Sequence, residues 1–208
     1  MNDKFVITIG REYGSGGGEI GRQLSKYFDI PCYDKELLTI VAKESGYCKE
    51  YFEKFDEKPL KVLSYFGYDA NTSTLPINHQ LFLKQFNLIQ KLASEKSCIF
   101  VGRAADYALR DYDNVVNIFI HADFEFRRKR AIEEHGILSQ KSASIVKKID
   151  KERSSYYKYY TDSSWGEAKN YHICLDTGFM GIDEADTGFM GIDEAVRIII
   201  DFIERKYK

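Results

Sequence analysis

The stretch "GREYGSGGGEIGRQL", residues 10–24, comes directly after the apolar run "FVITI" of residues 5–9. An apolar and β-branched run of this kind is typical of a strand that is buried on both faces of a parallel sheet. Five glycines lie within residues 14–21, and apolar residues then recur at helical spacing from Ile20 to Phe28. The stretch therefore predicts a strand, a glycine-rich loop and a helix, which is the arrangement of a phosphate-binding loop.

Two types of phosphate loop fit this stretch. Gly16, Gly18 and Gly21 satisfy the dinucleotide-binding pattern G-x-G-x-x-G, and Asp34 follows at the distance expected of its acidic partner. In dinucleotide-binding folds, however, the first glycine turns the chain directly off the strand, whereas "GREYGS" precedes Gly16 here. A wide loop between strand and helix instead indicates a P-loop, G-x-x-x-x-G-K-[ST]. A dinucleotide-dependent oxidoreductase is the disfavoured alternative.

The lysine of a P-loop is missing from this stretch. A strict motif would have Lys at the position of Gly17 and Ser or Thr at that of Gly18. Glycines still allow consecutive backbone N–H groups to face an anion, and the helix N-terminus adds about half a positive charge. Arg11, Arg22 and Ser15 are near enough in sequence to replace the lysine. We predict a phosphate site made of Arg11, Gly14, Ser15, Gly16, Gly17 and Gly18.

The whole chain has the composition of an ordinary soluble domain. Its 208 residues are 44% apolar and 30% charged, with a formal net charge of −2, and they suffice for one α/β domain. The charge disfavours nucleic acid as a general partner, since such proteins need a basic surface. The cysteines form no CxxC pair and the histidines lack metal-site spacing, so a protein-held metal site is not expected. No apolar run is long enough for a signal peptide or a membrane span, and we expect a cytoplasmic protein without a membrane partner.

Further strand candidates alternate with helical stretches. Short apolar runs occur in "IPCYD", "SCIFVG", "VVNIFIHA" and "YHICLDT", with a helix candidate, "RAADYALRD", between the second and third. The pattern is helical in pieces from Lys35 to about Glu95, with a loop between Pro59 and Pro76, and again from Ser139 to Tyr160 and in the closing "DEAVRIIIDFIERKYK". The alternation predicts a three-layer α/β fold in which helices flank a parallel sheet.

A perfect tandem copy stands near the end of the chain. The stretch "DTGFMGIDEA" occurs at residues 176–185 and again at 186–195. A single copy is too short for a repeat architecture, which needs at least three structural units. We interpret the copy as a recent duplication, or an error in the recorded sequence, that adds a solvent-exposed turn and no function.

Arginines follow two of the predicted strands. Arg103 comes at the carboxyl end of "CIFV", where ligands bind in open parallel sheets, and its planar guanidinium suits bidentate contact with phosphate. After the next strand, Arg127 and Arg130 lie three residues apart on one helix face, as in a clamp for a transferring phosphoryl group. Asp150 and Arg153 have the same spacing, which is also common in surface salt bridges.

Six stretches, taken in order, cover nearly the whole chain: "ITIGREYGSGGGEIGRQL", "IPCYDKELL", "FVGRAADYALRD", "NIFIHADFEFRRKRAIEE", "KKIDKERSSYY" and "YHICLDTGFMGIDEA". With these stretches the chain resembles the cytidylate kinase-like family of P-loop nucleoside monophosphate kinases. The combination of "REYGSGG", "YDKEL" and "GRAAD" is more specific than any glycine pattern alone.

The resemblance implies a P-loop nucleoside-triphosphate-hydrolase-like fold and phosphoryl transfer from ATP, with Mg²⁺, to a nucleoside monophosphate, typically CMP or dCMP. Small-molecule nucleotides would be its ligands. The single domain, residues 1–208, would comprise a core of residues 1–34, 96–127 and 170–208, an NMP-binding helical insertion at about 35–95 and a lid at about 128–160.

The resemblance also implies roles for individual residues. Arg103 would hold the acceptor phosphate, while Arg127 and Arg130 would steady the transferring group. The residues that face the acceptor would be Asp34, Arg103, Asp106, Asp150 and Arg153. The chain departs from well-characterised cytidylate kinases in its missing P-loop lysine, in "GRA" where they have "GRD", and in Lys35 where they have a serine. Because the P-loop lysine is absent, a nucleotide-binding regulatory protein with little or no kinase activity is the alternative.

Overall fold

The structure is a computed structural model that describes residues 4–45, 56–57, 77–178 and 190–207. In chain order its elements are β1 (Val6–Arg11), α1 (Gly17–Phe28), β2 (Cys32–Tyr33), α2 (Glu36–Ser45), α3 (Ile77–Glu95), β3 (Cys98–Val101), α4 (Ala105–Ala108), β4 (Val115–His121), α5 (Phe124–Glu133), α6 (Ser139–Thr161), a 3₁₀ helix (Ala168–Asn170), β5 (Ile173–Asp176) and α7 (Met190–Lys206). The strands form one parallel sheet in the order β2-β3-β1-β4-β5. The predicted α/β fold, with helices flanking a parallel sheet, is confirmed.

β1 lies in the middle of the sheet because both of its faces are apolar. It pairs with β3 on one side and β4 on the other. Val6 packs into one core, whereas Ile7 and Ile9 pack into the other. The central position of β1 brings Arg11, its last residue, to the middle of the edge where parallel sheets bind ligands.

Two apolar cores hold the helices against the sheet. On one face, α1 and α7 contribute Ile20, Leu24 and Ile199. On the other face, α2 and α3 contribute Leu37 and Ile89. These five side chains are fully buried, and burial of apolar area stabilises such layers by roughly 25 cal/mol per Å².

Aromatic side chains pack α6 against α3. The rings of Phe82 and Tyr160 are stacked with their centroids 4.0 Å apart, and Tyr156 contacts both rings. The tyrosines of α6 thus serve packing between helices. This packing fixes the helix that carries Asp150 and Arg153.

Some boundaries differ from the sequence prediction. The helix predicted in "RAADYALRD" is only the four residues of α4. It does not include Arg103 and Ala104, because both have left-handed backbone conformations. The closing helix begins at Met190, three residues before the predicted "DEA". Of the tandem copy, Asp176 ends β5 and the second copy starts α7. Residues 179–189, which carry much of the tandem copy with its predicted exposed turn, lie outside the described residues. So do the predicted loop between Pro59 and Pro76 and part of the helical pattern predicted from Lys35 to about Glu95.

The helices in the described part of the chain are also too short or too polar to span a lipid bilayer.

Candidate functional site

The glycine-rich loop connects Arg11, at the end of β1, to α1. Gly14 and Gly16 have φ angles of +81° and +85°, a left-handed conformation that favours glycine. Gly16, Gly17 and Gly18 line a cleft of about 700 Å³. No side chain of the described residues caps the N-terminus of α1. Since the first N–H groups of a helix have no partner within it, this N-terminus suits an anion such as phosphate.

Gly17 leaves no room for the lysine of a P-loop. A Cβ atom at Gly17 would lie 2.5 Å from the Cβ atom of Arg11, so the Arg11 side chain already fills that position. Gly18 is more open, because a Cβ atom there would lie 3.6 Å from Asp34 Oδ2 and 3.7 Å from Arg22 Nη1. Arg22 therefore brings positive charge to the start of α1, whereas Arg11 packs its Cβ and Cγ atoms against Gly17 and carries its guanidinium to Glu57.

Ser15 holds the loop to the sheet. Its buried hydroxyl lies 2.9 Å from the carbonyl oxygen of Glu12 and 3.1 Å from that of Ile120. The Ser15 carbonyl accepts a hydrogen bond of 2.9 Å from the Thr177 hydroxyl. The Ser15 side chain thus points into the interior, away from the cleft.

Arg127 holds the same loop from α5. Its Nε donates to the carbonyl of Ala122 at 2.9 Å and lies 3.1 Å from Glu12 Oε2. Its Nη1 contacts the Tyr13 carbonyl and the Asp150 carboxylate, and Asp150 in turn accepts the Tyr13 N–H at 2.7 Å. Burial raises the pKa of Glu12, and the charge of Arg127 opposes that rise. Arg127 and Asp150 therefore fix the backbone of the loop.

Arg130, the next arginine on the same face of α5, lines the cleft. It is 5% exposed, and its Nη2 donates to Glu19 Oε2 at 3.0 Å. Burial and the charge of Arg130 lower the pKa of the neighbouring His135, which favours the neutral imidazole. Because Glu19 belongs to the first turn of α1, Arg130 adds a positive charge beside the glycine-rich loop.

The turn after β3 has three successive residues in left-handed conformations. The φ angle is +78° at Gly102, +57° at Arg103 and +51° at Ala104. Residues other than glycine rarely adopt this region, and those that do cluster at functional sites. A Cβ atom on Gly102 would overlap both Arg11 and Glu57. Glycine therefore lets these two side chains lie across the end of β3.

Arg11, Arg103 and Arg153 converge there, and we call them the arginine pocket. The Glu57 carboxylate lies among them, 2.7 and 3.1 Å from Nη1 and Nη2 of Arg11 and 3.1 Å from the backbone N of Arg103. Arg153 Nε lies 3.3 Å from Glu57 Oε2 as an ion pair, without the alignment of a hydrogen bond. One carboxylate, only 14% exposed, thus occupies the centre of the arginine pocket.

Arg103 contacts two further carboxylates. Its Nε and Nη2 donate to Asp56 at 3.3 and 2.6 Å. Its Nη1 donates to Asp34 Oδ1 at 2.6 Å and to the Val101 carbonyl at 2.8 Å. Gln85 Nε2 donates to Asp56 at 3.2 Å. Each nitrogen of the Arg103 guanidinium therefore already has a carboxylate partner.

The charged groups of the arginine pocket shift one another's pKa values. Burial alone would raise the pKa of Glu57, but the three arginines hold it well below its ordinary value. Burial would lower the pKa of Arg103, but the surrounding carboxylates hold it well above the usual range. Burial and the nearby Arg11 lower the pKa of Arg153 to about 10. All of these groups are ionised at neutral pH.

Asp106 lies behind the arginine pocket, on α4. It lines a small cavity of about 20 Å³ together with Arg103 and Arg153, which is enough space for one water molecule. The Tyr157 hydroxyl donates to Asp106 Oδ2 at 2.6 Å. Burial raises the pKa of Asp106, and the hydrogen bond from Tyr157 opposes that rise.

The structure brings most of the residues predicted from the sequence to one cleft. Those that line it are Arg11, Gly14, Gly16, Gly17, Gly18, Asp34, Arg103, Arg130 and Arg153. Ser15, Asp106, Arg127 and Asp150 lie behind its wall and bind other groups of the protein. Sequence reasoning missed the carboxylates Glu12, Asp56 and Glu57, because their arginine partners are distant in the chain and no local pattern marks the pairs.

A protein-family model matches the part of the chain that forms this site. The model of the cytidylate kinase-like family matches residues 6–178, a range that includes the glycine-rich loop and the arginine pocket. No curated protein matches the chain at a significant level.

Solved structures share the fold. An uncharacterized protein from Eubacterium ventriosum ATCC 27560 is 30% identical, with a TM-score of 0.71 over 97% of this chain and 99% of that chain. Shikimate kinase from Bacteroides thetaiotaomicron is 11% identical, with a TM-score of 0.55 over 97% of this chain and 99% of that chain. A gluconokinase from Sinorhizobium meliloti 1021 is 12% identical, with a TM-score of 0.50 over 99% of this chain and 98% of that chain. At such low identity the two kinases show the fold alone.

Proposed function

Because the chain belongs to the cytidylate kinase-like family, we propose that it transfers the γ-phosphoryl group of ATP to a nucleoside monophosphate, CMP or dCMP. The family supports a kinase of nucleotides or small molecules, and its members supply CMP or dCMP as the proposed acceptor. The arginine pocket supports an acceptor that carries a phosphate. Three arginines converge on one anion beside an uncapped helix N-terminus. This geometry offers two neighbouring phosphate sites, as transfer between two phosphates requires.

The donor phosphates bind at the glycine-rich loop. Backbone N–H groups at the start of α1 take the phosphate oxygens, since no side chain of the described residues caps them. Arg130 lies beside this N-terminus through its bond to Glu19 and neutralises charge that develops on the transferring group. Arg127 acts indirectly, because its contacts with Glu12 and Tyr13 keep the loop in shape.

The acceptor phosphate binds in the arginine pocket. Arginine guanidinium groups match phosphate oxygens in bidentate pairs, and Arg103 lies at the carboxyl end of β3 close to the loop. A phosphate monoester carries a charge of about −1.5 to −2 at pH 7. Its oxygens are already nucleophilic, so the reaction needs no side chain to remove a proton from the acceptor. Positioning and charge neutralisation carry the chemistry.

Mg²⁺ would be held mainly by the nucleotide. No group of three His, Cys, Asp or Glu side chains among the described residues is arranged for a metal ion. Mg²⁺ bound with ATP usually keeps several waters and takes only one or two protein carboxylates. Glu19 and Asp34 lie beside the start of α1 and are the carboxylates that would fit this role. The ion would neutralise charge on the donor phosphates.

The test is a panel of reactions with ATP and Mg²⁺. The purified protein is incubated with CMP, dCMP, UMP, AMP and GMP in turn, and diphosphate formation is measured by chromatography. We expect CDP or dCDP as the main product. A folded protein that forms no diphosphate from any of these acceptors would overturn the proposal. The proposed location is the cytoplasm, as expected from the sequence.

One observation favours a second candidate, a regulatory protein that binds nucleotides with little or no catalysis. The lysine position is filled by Arg11 packing on Gly17, so a P-loop lysine is absent and has no space. Calorimetry distinguishes the two candidates. Binding of ATP and CMP without any turnover would favour the regulatory protein.

A further inference from the structure

The arginine pocket is already filled by carboxylates of the same chain. Glu57 accepts both hydrogen bonds from the Arg11 guanidinium edge, at 2.7 and 3.1 Å. Asp56 accepts from the Nε and Nη2 edge of Arg103, at 3.3 and 2.6 Å. These edges are the ones that would bind a phosphate in bidentate fashion. A phosphate therefore cannot make those bonds while Asp56 and Glu57 remain in place.

We propose that Asp56 and Glu57 occupy the acceptor-phosphate site of the arginine pocket, and that a phosphate dianion binds by replacing both carboxylates. The assignment of this phosphate to the acceptor rests on the proposed function. The replacement itself rests on the contacts described above and applies to any phosphate of suitable size.

The charge balance supports an exchange rather than an addition. The three arginines of the pocket face three carboxylates, Asp34, Asp56 and Glu57. A phosphate monoester brings a charge of about −1.5 to −2, which is close to the combined charge of two carboxylates. Exchange therefore keeps the buried cluster near neutrality. Addition without exchange would leave excess negative charge in a poorly solvated place, which is unfavourable.

The backbone conformation of Glu57 indicates that its side-chain contacts hold the residue in place. Glu57 has a φ angle of +51°, a left-handed conformation that costs about 1–2 kcal/mol for a residue with a Cβ atom. Contacts with Arg11, Arg153 and the Arg103 backbone offset that cost. When phosphate takes over these donors, the contacts that hold Glu57 in this conformation are lost.

Inorganic phosphate tests the exchange without any need for turnover. The variant Glu57→Gln keeps the shape of the side chain but removes its charge. We expect isothermal titration calorimetry to show about tenfold tighter binding of inorganic phosphate to Glu57→Gln than to the wild type, since roughly 1.4 kcal/mol of competition corresponds to tenfold. Asp56→Asn should act in the same direction. Equal or weaker phosphate binding by the folded variants would overturn the proposal.

Glu134→Gln is the matched control. Glu134 lines the same cleft at an exposed position at the end of α5, so its substitution changes the cleft charge by the same amount. We expect its phosphate affinity to stay within about twofold of the wild type, because an exposed charge contributes little. A gain as large as that of Glu57→Gln would indicate a general charge effect and overturn the exchange.

A wild-type crystal soaked in phosphate gives an independent answer if Glu57→Gln does not fold. Phosphate bonded to Arg11 and Arg103, with Glu57 withdrawn, supports the exchange. Phosphate bound elsewhere, with Glu57 still on Arg11, overturns it.

The outcomes also separate the two proposals. Tighter phosphate binding without diphosphate formation would retain the exchange and reject the kinase, whereas turnover with unchanged phosphate binding would do the reverse.

Discussion

Arg11 and Glu57 form a two-bond ion pair that lies directly over Gly102, with Nη1–Oε1 and Nη2–Oε2 distances of 2.7 and 3.1 Å. Arg11 ends the central strand, and Gly102 follows the neighbouring strand, so the pair lies across the ligand-binding edge of the sheet. The pair lies against the backbone of the turn, contributes to the charge of the arginine pocket and occupies space that a ligand would need. Substitutions at each of these points have different expected effects.

Gly102→Ala should destabilise the protein by more than strain alone explains. The left-handed φ of +78° costs a residue with a Cβ atom about 1–2 kcal/mol, and the added methyl group would overlap Arg11 and Glu57. We expect a total loss of about 3 kcal/mol in the free energy of unfolding. Urea denaturation measures it.

Gly136→Ala separates the two causes. Gly136 also has a positive φ, +64°, but a Cβ atom there would have no neighbour within 4 Å. This control should lose only the strain energy, about 1 kcal/mol. Equal losses in the two variants would mean that the overlap at Gly102 has no energetic effect.

Glu57→Gln should change how stability depends on pH. The pKa of Glu57 is well below its ordinary value of 4.5 in the folded protein, so its ionised form stabilises the fold above that pH. This stabilisation is lost as the pH falls below about 4.5 and the unfolded chain takes up the proton first. Glutamine cannot titrate. At neutral pH the variant should therefore be less stable, by roughly 3 kcal/mol, and its stability should fall less steeply on acidification.

Denaturant unfolding at a series of pH values checks this expectation. The free energies of unfolding of wild type and Glu57→Gln should approach each other as the pH decreases. Parallel curves through the acid range would show that Glu57 is not held as a stabilising carboxylate.

Lysine substitutions at adjacent glycines should have unequal effects. A side chain at Gly17 would meet the Arg11 Cβ at 2.5 Å, whereas one at Gly18 would have ordinary contacts of 3.6 Å or more. Gly17→Lys should cost about 1–3 kcal/mol through overpacking, while Gly18→Lys should be nearly neutral for stability. Thermal denaturation compares them. A Gly17→Lys protein as stable as Gly18→Lys would contradict the packing described for Arg11.

Arg127→Ala should weaken the fold and the glycine-rich loop together. Removing Arg127 leaves the partly buried carboxylates Glu12 and Asp150 without their arginine partner, although each still accepts a backbone N–H. We expect a cost of about 3 kcal/mol. ATP affinity should fall as well, since Tyr13 loses a contact of the loop backbone. Unfolding and calorimetry measure the two effects.

Arg128→Ala is the control for that experiment. Arg128 is the next residue on α5, but its side chain is 36% exposed and, in the described part of the chain, it pairs with the surface residue Glu125. Its loss should cost less than about 0.5 kcal/mol. Comparable losses from both alanine substitutions would rule out a special role for Arg127.

The sequence predicted the features that local chemistry specifies. The glycines between Gly14 and Gly18 predicted a phosphate loop because few other residues allow the required turns, and the apolar runs predicted the parallel sheet. The position of Arg103 after a buried strand placed it at the ligand-binding edge. The family resemblance, confirmed by the match over residues 6–178, connected these features as parts of a kinase-like fold.

The sequence alone could not predict which charged residues pair with each other. Asp150 and Arg153 have the spacing of a helical salt bridge, yet Asp150 pairs with Arg127 and Arg153 with Glu57. These partners come from different parts of the chain, and only the fold brings them together. For the same reason, the sequence could not show that Arg11 fills the space beside Gly17 and thereby excludes the lysine.

Formation of CDP by Arg103 variants tests the central claim most directly. Arg103→Lys keeps the positive charge but loses the bidentate guanidinium, and Arg110→Lys makes the same change at a half-exposed arginine beside Asp111. With ATP, Mg²⁺ and CMP, we expect the wild type and Arg110→Lys to form CDP with similar kcat/KM. We expect Arg103→Lys to lose at least about tenfold, equivalent to roughly 1.4 kcal/mol of transition-state stabilisation. An Arg103→Lys protein as active as the wild type, or a folded wild type that forms no CDP, would contradict the account.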